Sequence, residues 1–174
     1  MQLALTALGA NQTNFLPEII RAISECQCKI IDIRCSRLAN ATAAHLLIDS
    51  NWNHIARLET MLELLESQLN INIHKLRPES QGQDRKLLPY SLETVSIYQD
   101  GLLQDILAFL NARSIIIDEM TGSSYQAAYL QTQVFSTKFV LFIPAGTQLL
   151  SLREEFLDFC DQMNIDAILE PIKR

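Results

Sequence analysis

Apolar and polar residues alternate along the chain, step to helical spacing, then alternate again, and this whole succession occurs twice. Residues 2–8 (QLALTAL) predict a strand. Phe15, Ile19, Ile20 and Ile23 then fall on one face of a helix over residues 15–26, with Pro17 near its start, where proline is tolerated. Residues 28–38 alternate, with Ile31, Ile33 and Cys35 on one side and Asp32, Arg34 and Ser36 on the other. Residues 42–49 predict a further strand. Leu58, Met61, Leu62, Leu65 and Leu69 predict a helix, and Ile71, Ile73 and Lys75 a closing strand. The order is βαββαβ.

The stretch PESQGQDRKLLP that follows Arg77 is polar and bracketed by prolines, which reads as a linker over residues 78–90. Beyond it the pattern restarts. A strand is predicted over 92–98 and a helix from Leu102, Leu103, Ile106, Phe109 and Leu110. A strand over 115–120 follows, then a longer strand or bent pair over 130–143, a helix over 149–163 and a strand over 167–170. The repeat is visible in letters too. Gln68-Leu69-Asn70-Ile71 matches Gln162-Met163-Asn164-Ile165, which sets Leu58 and Leu62 against Leu152 and Phe156, and Lys29-Ile30-Ile31-Asp32 parallels Ile115-Ile116-Ile117-Asp118.

The expected fold is therefore α+β: two ferredoxin-like βαββαβ domains, residues 1–77 and 91–174, each an antiparallel four-stranded sheet with helices on one face. The other sheet face, expected to carry Leu3, Leu5 and Ile48 in the first domain, then needs a neighbouring sheet, a partner or water to cover it.

Composition narrows what such a chain does. Nearly half of the 174 residues are apolar, so a sizeable core is expected, yet no apolar run is long enough to span a membrane. The start of the chain lacks a basic leader, and a cytoplasmic protein is expected. Three of the four cysteines, Cys26, Cys28 and Cys35, crowd one segment, with Cys160 far away, which suits reduced thiols better than a disulfide framework. Cys26, Cys28, Cys35 and His45 lack a second pair at metal-finger spacing, so neither metal nor cofactor is expected. The net charge of -6 is concentrated beyond residue 99, and no dense basic cluster exists. Direct nucleic-acid binding is thus not expected, since that affinity comes from Lys and Arg neutralising phosphates. An acidic half is suited to a basic protein partner.

Catalytic motifs are missing: there is no GxSxG, HExxH, Walker loop or GxGxxG, and His54 and His74 stand isolated. An enzyme is not expected. Trp52, just after Ser50 and Asn51, reads either as an aromatic stapling a capped helix to the sheet or as a partner contact. Tyr125 and Tyr129 flank a hairpin tip that is either plain or a gripping arm. Arg34 and Arg37 read as a solvated face or as carboxylate ligands.

Two βαββαβ units on a short linker resemble tandem ACT domains, and the chain is similar over nearly its full length to the glycine cleavage system transcriptional repressor family. The residues that carry the likeness are Thr6-Ala7-Leu8-Gly9-Ala10, Cys26-Gln27-Cys28-Lys29-Ile30, Ser36-Arg37-Leu38-Ala39, Ser50-Asn51-Trp52-Asn53, Tyr125-Gln126-Ala127 and Leu169-Glu170-Pro171. The resemblance implies a non-enzymatic regulator that acts with a DNA-binding transcriptional activator and senses glycine or another amino acid; the alternative is an amino-acid-binding or structural pair with no transcriptional role. A homo-oligomer is compatible with either.

It also implies a ligand turn between first strand and first helix, normally an acid followed by a glycine. The matching positions are Asn11 and Asn14 in the first domain, which also read as a plain capped turn. In the second they are Asp100 and Gly101, which keep the acid and the glycine and read either as a ligand site or as a tight turn.

Overall fold

The computed structural model describes residues 1–78, 86–127 and 132–172, and divides into two compact units, Met1–Gly82 and Gln83–Arg174. The first holds β1 (Gln2–Ala10), α1 (Leu16–Glu25), β2 (Lys29–Leu38), β3 (Ala41–Asp49), α2 (Trp52–Leu69) and β4 (Asn72–Leu76). The second holds β5 (Leu87–Ile97), α3 (Leu102–Ala112), β6 (Ile116–Gln126), β7 (Gln133–Pro144), α4 (Leu149–Met163) and β8 (Asp166–Pro171). The sheet orders are β2-β3-β1-β4 and β6-β7-β5-β8, and every neighbouring pair is antiparallel. Both units are thus ferredoxin-like, with two helices on one sheet face.

In the first unit the helices cover Leu3, Leu5 and Ala7 of β1 together with Ala44, Leu46 and Ile48 of β3, which meet Ile19 and Ile23 of α1 and Ile55, Leu58 and Leu62 of α2. The assignment of Leu3, Leu5 and Ile48 to the outer face is therefore corrected: they are core. The outer face instead carries Thr6, His45, His74 and Asp32, with Thr6 Oγ1 3.0 Å from His45 Nδ1. Alternation alone left the choice open, because Ala4 and Leu8 make the opposite set of β1 apolar too.

Strand β2 bulges at Ile31, where the register jumps from Ile30–Ile48 to Asp32–Leu47. Ile31 drops out of the ladder, and Ile33, Cys35 and Arg37 all turn to the helix side, opposite Leu46, Ala44 and Thr42. Strand β6 bulges at the equivalent place, between Ile117 and Glu119. The letter match of Lys29–Asp32 with Ile115–Asp118 is accordingly out by one residue: Lys29 corresponds to Ile116.

Helices α1 to α4 each return to the sheet through one left-handed residue: Gln27 (φ 55), Asn70 (φ 50), Ser114 (φ 54) and Asn164 (φ 53). The next residue's N–H then reaches back into the last turn, Cys28 to Ile23 O at 3.0 Å, Ile71 to Glu66 O at 3.2 Å, Ile115 to Leu110 O at 3.1 Å and Ile165 to Cys160 O at 2.9 Å. This is the Schellman closure, and it drives Ile71, Ile115 and Ile165 into their cores. Asn70 and Asn164 occupy identical places, as their shared letters implied.

Strand β5 begins at Leu87, inside the stretch expected to be linker, with Tyr90 buried. Pro89 had argued against a strand there. Its missing N–H faces Ile172, at the very end of β8, where Pro89 still accepts the Ile172 N–H at 3.0 Å, so the ladder loses one terminal bond.

Ser114 has no side-chain reason to be left-handed, a conformation costing an L-residue about 1–2 kcal/mol. Ser114→Gly should stabilise the second unit by roughly 0.5–1 kcal/mol, after allowing for glycine's looser unfolded chain. Urea unfolding followed by far-UV circular dichroism checks this; a loss of stability would contradict the left-handed closure.

Candidate functional site

The turn after β1 is a single 3-10 turn, Asn11–Thr13, followed by Asn14 in the left-handed region (φ 44, ψ 46). Phe15 then dives inward and is 1% exposed. Gly9 makes this possible: a Cβ there would lie 2.6 Å from Ile71 Cγ2 and 3.0 Å from the Phe15 ring. The first loop's glycine is a packing residue. Asn14 does not cap α1, whose flanking residue is Phe15 with no side-chain cap bond, because the left-handed turn has displaced it from the capping position.

Asn11 is committed to the β2–β3 hairpin. Its Nδ2 donates to Ala39 O at 2.9 Å, its N–H to Asn40 O at 2.9 Å, and its Oδ1 accepts from Thr42 Oγ1 at 2.6 Å. These bonds hold Ala39 at φ 51, an unfavourable conformation for alanine.

Between this turn and β2 lies a cleft of about 220 Å³, lined by Asn11, Asn14, Phe15 and Leu16 on one side and by Cys35, Arg37 and Thr42 on the other. Arg37 is exposed and has no ion-pair partner among the described residues. The start of α1 offers uncapped N–H groups beside it. A guanidinium sharing a cleft with the positive end of a helix suits one kind of guest, a small molecule carrying a carboxylate or similar anion. Arg34 points to the opposite face, 3.5 Å from Asp32.

The second unit fills the same place. Matching registers sets Leu3–Ile48 against Tyr90–Leu141, so Thr42 corresponds to Phe135, Cys35 to Gly122, and Arg37 to Ser124. Asn11 corresponds to Tyr98, whose N–H likewise bonds the hairpin, to Gln133 O at 2.8 Å. Phe135 packs on the core with the Tyr98 ring edge-on at 6.0 Å, and a Cβ on Gly122 would lie 3.2 Å from the Phe135 ring. Each unit thus has one aromatic beside one glycine. In the first, Phe15 arrives from the helix start and leaves the strand side open; in the second, Phe135 arrives from β7 and occupies it.

Gly101 stands where Asn14 does, left-handed at φ 85 and flanking α3, with open space around it. Its letters are those a left-handed turn demands. Asp100 beside it is exposed. Trp52 opens α2 and is 61% exposed, so it does not staple the helix to the sheet; Asn51 supplies the cap, accepting the His54 N–H at 2.9 Å. Tyr125 lies on β6, half exposed, and Tyr129 lies outside the described residues. Cys26 and Cys160 are buried and Cys35 is exposed. No three potential metal ligands cluster among the described residues, and no described helix is long and apolar enough to cross a membrane.

The fold is a pair of βαββαβ units, the arrangement found in ACT-type domains. Residues 1–75 match the ACT domain family model. The whole chain is similar to the glycine cleavage system transcriptional repressors of Escherichia coli (strain K12) and Shigella flexneri, each 24% identical over 172 residues, covering 98% of this chain and 90% of the relative. The fold matches a crystal structure assigned as such a repressor, with TM-score 0.77 and 23% identity over 99% of this chain and 98% of that one. It also matches a protein of unknown function from Galdieria sulphuraria, with TM-score 0.79 and 14% identity over the same shares. Kinship to proteins named as regulators supports a regulatory role for this chain.

Two outcomes follow from the packing. Gly122→Val should cost the second unit about 1–3 kcal/mol by overpacking against Phe135, and most of that cost should vanish in a Phe135→Thr background. Additive costs in a double-mutant cycle would contradict the contact. Burial pushes the Cys160 thiol up to about 11 from an ordinary 9.0, so at mildly alkaline pH a thiol reagent should modify Cys35 first and Cys160 only on unfolding. Mass spectrometry of the labelled peptides gives the order.

Proposed function

We propose that this protein is a non-catalytic regulator of transcription that works through a DNA-binding activator and is set by a small amino acid, glycine first, bound in the cleft of the first unit. The observation that carries the ligand half is Arg37, without an ion-pair partner among the described residues, beside the uncapped start of α1 in a cleft of about 220 Å³. In this reading Arg37 and the helix N–H groups hold the carboxylate, and the amide oxygen of Asn14 is available to the ammonium group. Asp100 and Gly101 form a second, subordinate position, since Phe135 stands in the space that corresponds to the cleft. The partner half is supported by the similarity to named repressors over 98% of the chain and by the absence of a basic surface in the sequence. Trp52 and Tyr125, exposed aromatics without a packing role in the core, are proposed partner contacts, with Tyr129 beside the latter in sequence.

Isothermal titration with glycine, then with other small amino acids, tests the ligand half. Arg37→Gln should weaken binding roughly tenfold to a hundredfold, the worth of a charged hydrogen bond, while Asp100→Ala leaves it unchanged. The reverse pattern would move the ligand to the second unit and overturn the cleft assignment. Co-purification with a DNA-binding activator, responsive to the same amino acid, tests the partner half; binding without any such partner would favour the ligand-binding pair without a transcriptional role.

A further inference from the structure

Strands β4 and β8 are the corresponding edges of the two sheets, and they are guarded very differently. In the first unit, α2 closes β4 with three bridges. Glu66 Oε1 accepts the Ile73 N–H at 2.7 Å, Glu63 pairs with Lys75 at 2.8 Å, and Glu59 pairs with Arg77 at 2.6 Å. Counted back from the left-handed Asn70 and Asn164, these acids fall where α4 has Cys160, Leu157 and Arg153. Only Arg153 still reaches the edge, donating to Leu169 O at 3.0 Å.

The register and the Ile172–Pro89 bond show which backbone groups of β8 are free. Asp166, Ile168 and Glu170 bond towards β5, so Ala167 and Leu169 turn their N–H and C=O groups outward. Beside them, between α4 and β8, runs a groove of about 290 Å³ that includes Phe156, Leu157, Ala167 and Leu169. Leu157 is 54% exposed. The two faces of this edge differ. The helix side presents Phe156, Leu157, Ala167 and Leu169 together with Arg153, whereas the opposite face presents Asp166 and Glu170, which also borders the groove, around an exposed Ile168. From Leu149 to Pro171 the chain carries six carboxylates, Glu154, Glu155, Asp158, Asp161, Asp166 and Glu170, against the single base Arg153.

We infer that the β8 edge is a docking site for an extended segment of a partner protein in which apolar and basic residues alternate, added to the sheet as a further strand. Strand addition supplies the hydrogen bonds to Ala167 and Leu169. Because side chains alternate across a strand, the apolar set of the incoming segment enters the Leu157 groove while the basic set meets Asp166 and Glu170. Arg153 acts as a latch on the Leu169 carbonyl that the segment must displace. An unguarded edge of this kind otherwise invites pairing between chains, which the first unit's three bridges prevent. The assignment rests on the reading that the chain works through a protein partner, and it names the surface.

Fluorescence anisotropy with a labelled short peptide of alternating valine and lysine tests it on the full chain, beside the same peptide with glutamate for lysine. The lysine peptide should bind, weaken with salt, and bind roughly tenfold more weakly or worse to Ala167→Pro, which removes one outward N–H without touching the bonds to β5. Leu157→Glu, at an exposed position, should weaken it as much and serves if the proline variant misfolds. Arg153→Ala should tighten it severalfold. No binding of the lysine peptide, equal binding of the glutamate peptide, or binding unmoved by both Ala167→Pro and Leu157→Glu would overturn the assignment. Self-association lost in Ala167→Pro, without peptide binding, would assign the edge to a second copy instead. The peptide reads the surface with no transcription partner present, so its failure leaves the regulatory reading standing, and failure to find an activator leaves a peptide-binding edge standing.

Discussion

Each helix hands back to its sheet through a single left-handed residue, and the rest of both units depends on that reversal. Gln27, Asn70, Ser114 and Asn164 each tie the following N–H to the helix just left, the last three sending an isoleucine into the core and Gln27 setting Cys28 against it. Once that residue is placed, period-2 alternation decides the face of everything after it on the strand. The bulges at Ile31 and between Ile117 and Glu119 then shift the parity once in each outer strand. That shift brings Arg37, not Ser36, over the helix layer, where the cleft forms.

The two cores diverge from this common frame in compensated pairs. Ala7 lies opposite Ala44 in the first unit, whereas the corresponding Thr94 and Thr137 in the second share a buried hydroxyl hydrogen bond of 2.6 Å. Neither threonine is tolerable alone, because a buried hydroxyl without a partner costs about 1–3 kcal/mol. The aromatic and glycine pairs follow the same logic: Phe15 needs Gly9, Phe135 needs Gly122. Close packing forces such residues to change together.

Much of the fold was legible because both of its signals are local. Helical spacing marked the four helices, and Gln-x-Asn-Ile letters marked the two equivalent helix ends. What resisted reading depends on residues far apart in sequence. The buried face of β1 was ambiguous because both of its sets are apolar, and Pro89 hid the start of β5 because its harmless position is visible only from where β8 ends. The site was less legible still. Asp100-Gly101 carried the familiar letters, yet whether a cleft lies between the turn and the outer strand depends on the residue at Thr42 or Phe135, two strands further along the chain. A left-handed turn selects glycine or asparagine regardless of what lies beside it.

Duplication has left one unit with an open cleft and a guarded edge, and the other with a filled cleft and a nearly unguarded one. A ligand shifts a protein only as far as it binds one conformation better than another. In the first unit the cleft is bounded by two pieces of chain, the β1–α1 turn and the β2–β3 hairpin, and Asn11 is the polar residue that ties them, through Ala39, Asn40 and Thr42. The guest proposed for this cleft, bridging Arg37 on the hairpin to the start of α1, would add a second tie across the same gap. Its binding energy is then realised only when turn and hairpin are held together, which is the differential affinity that a switch requires. In the second unit Phe135 packs at the corresponding place against Tyr98 and Gly122, so there a side chain of the fold, and not a guest, fills the gap.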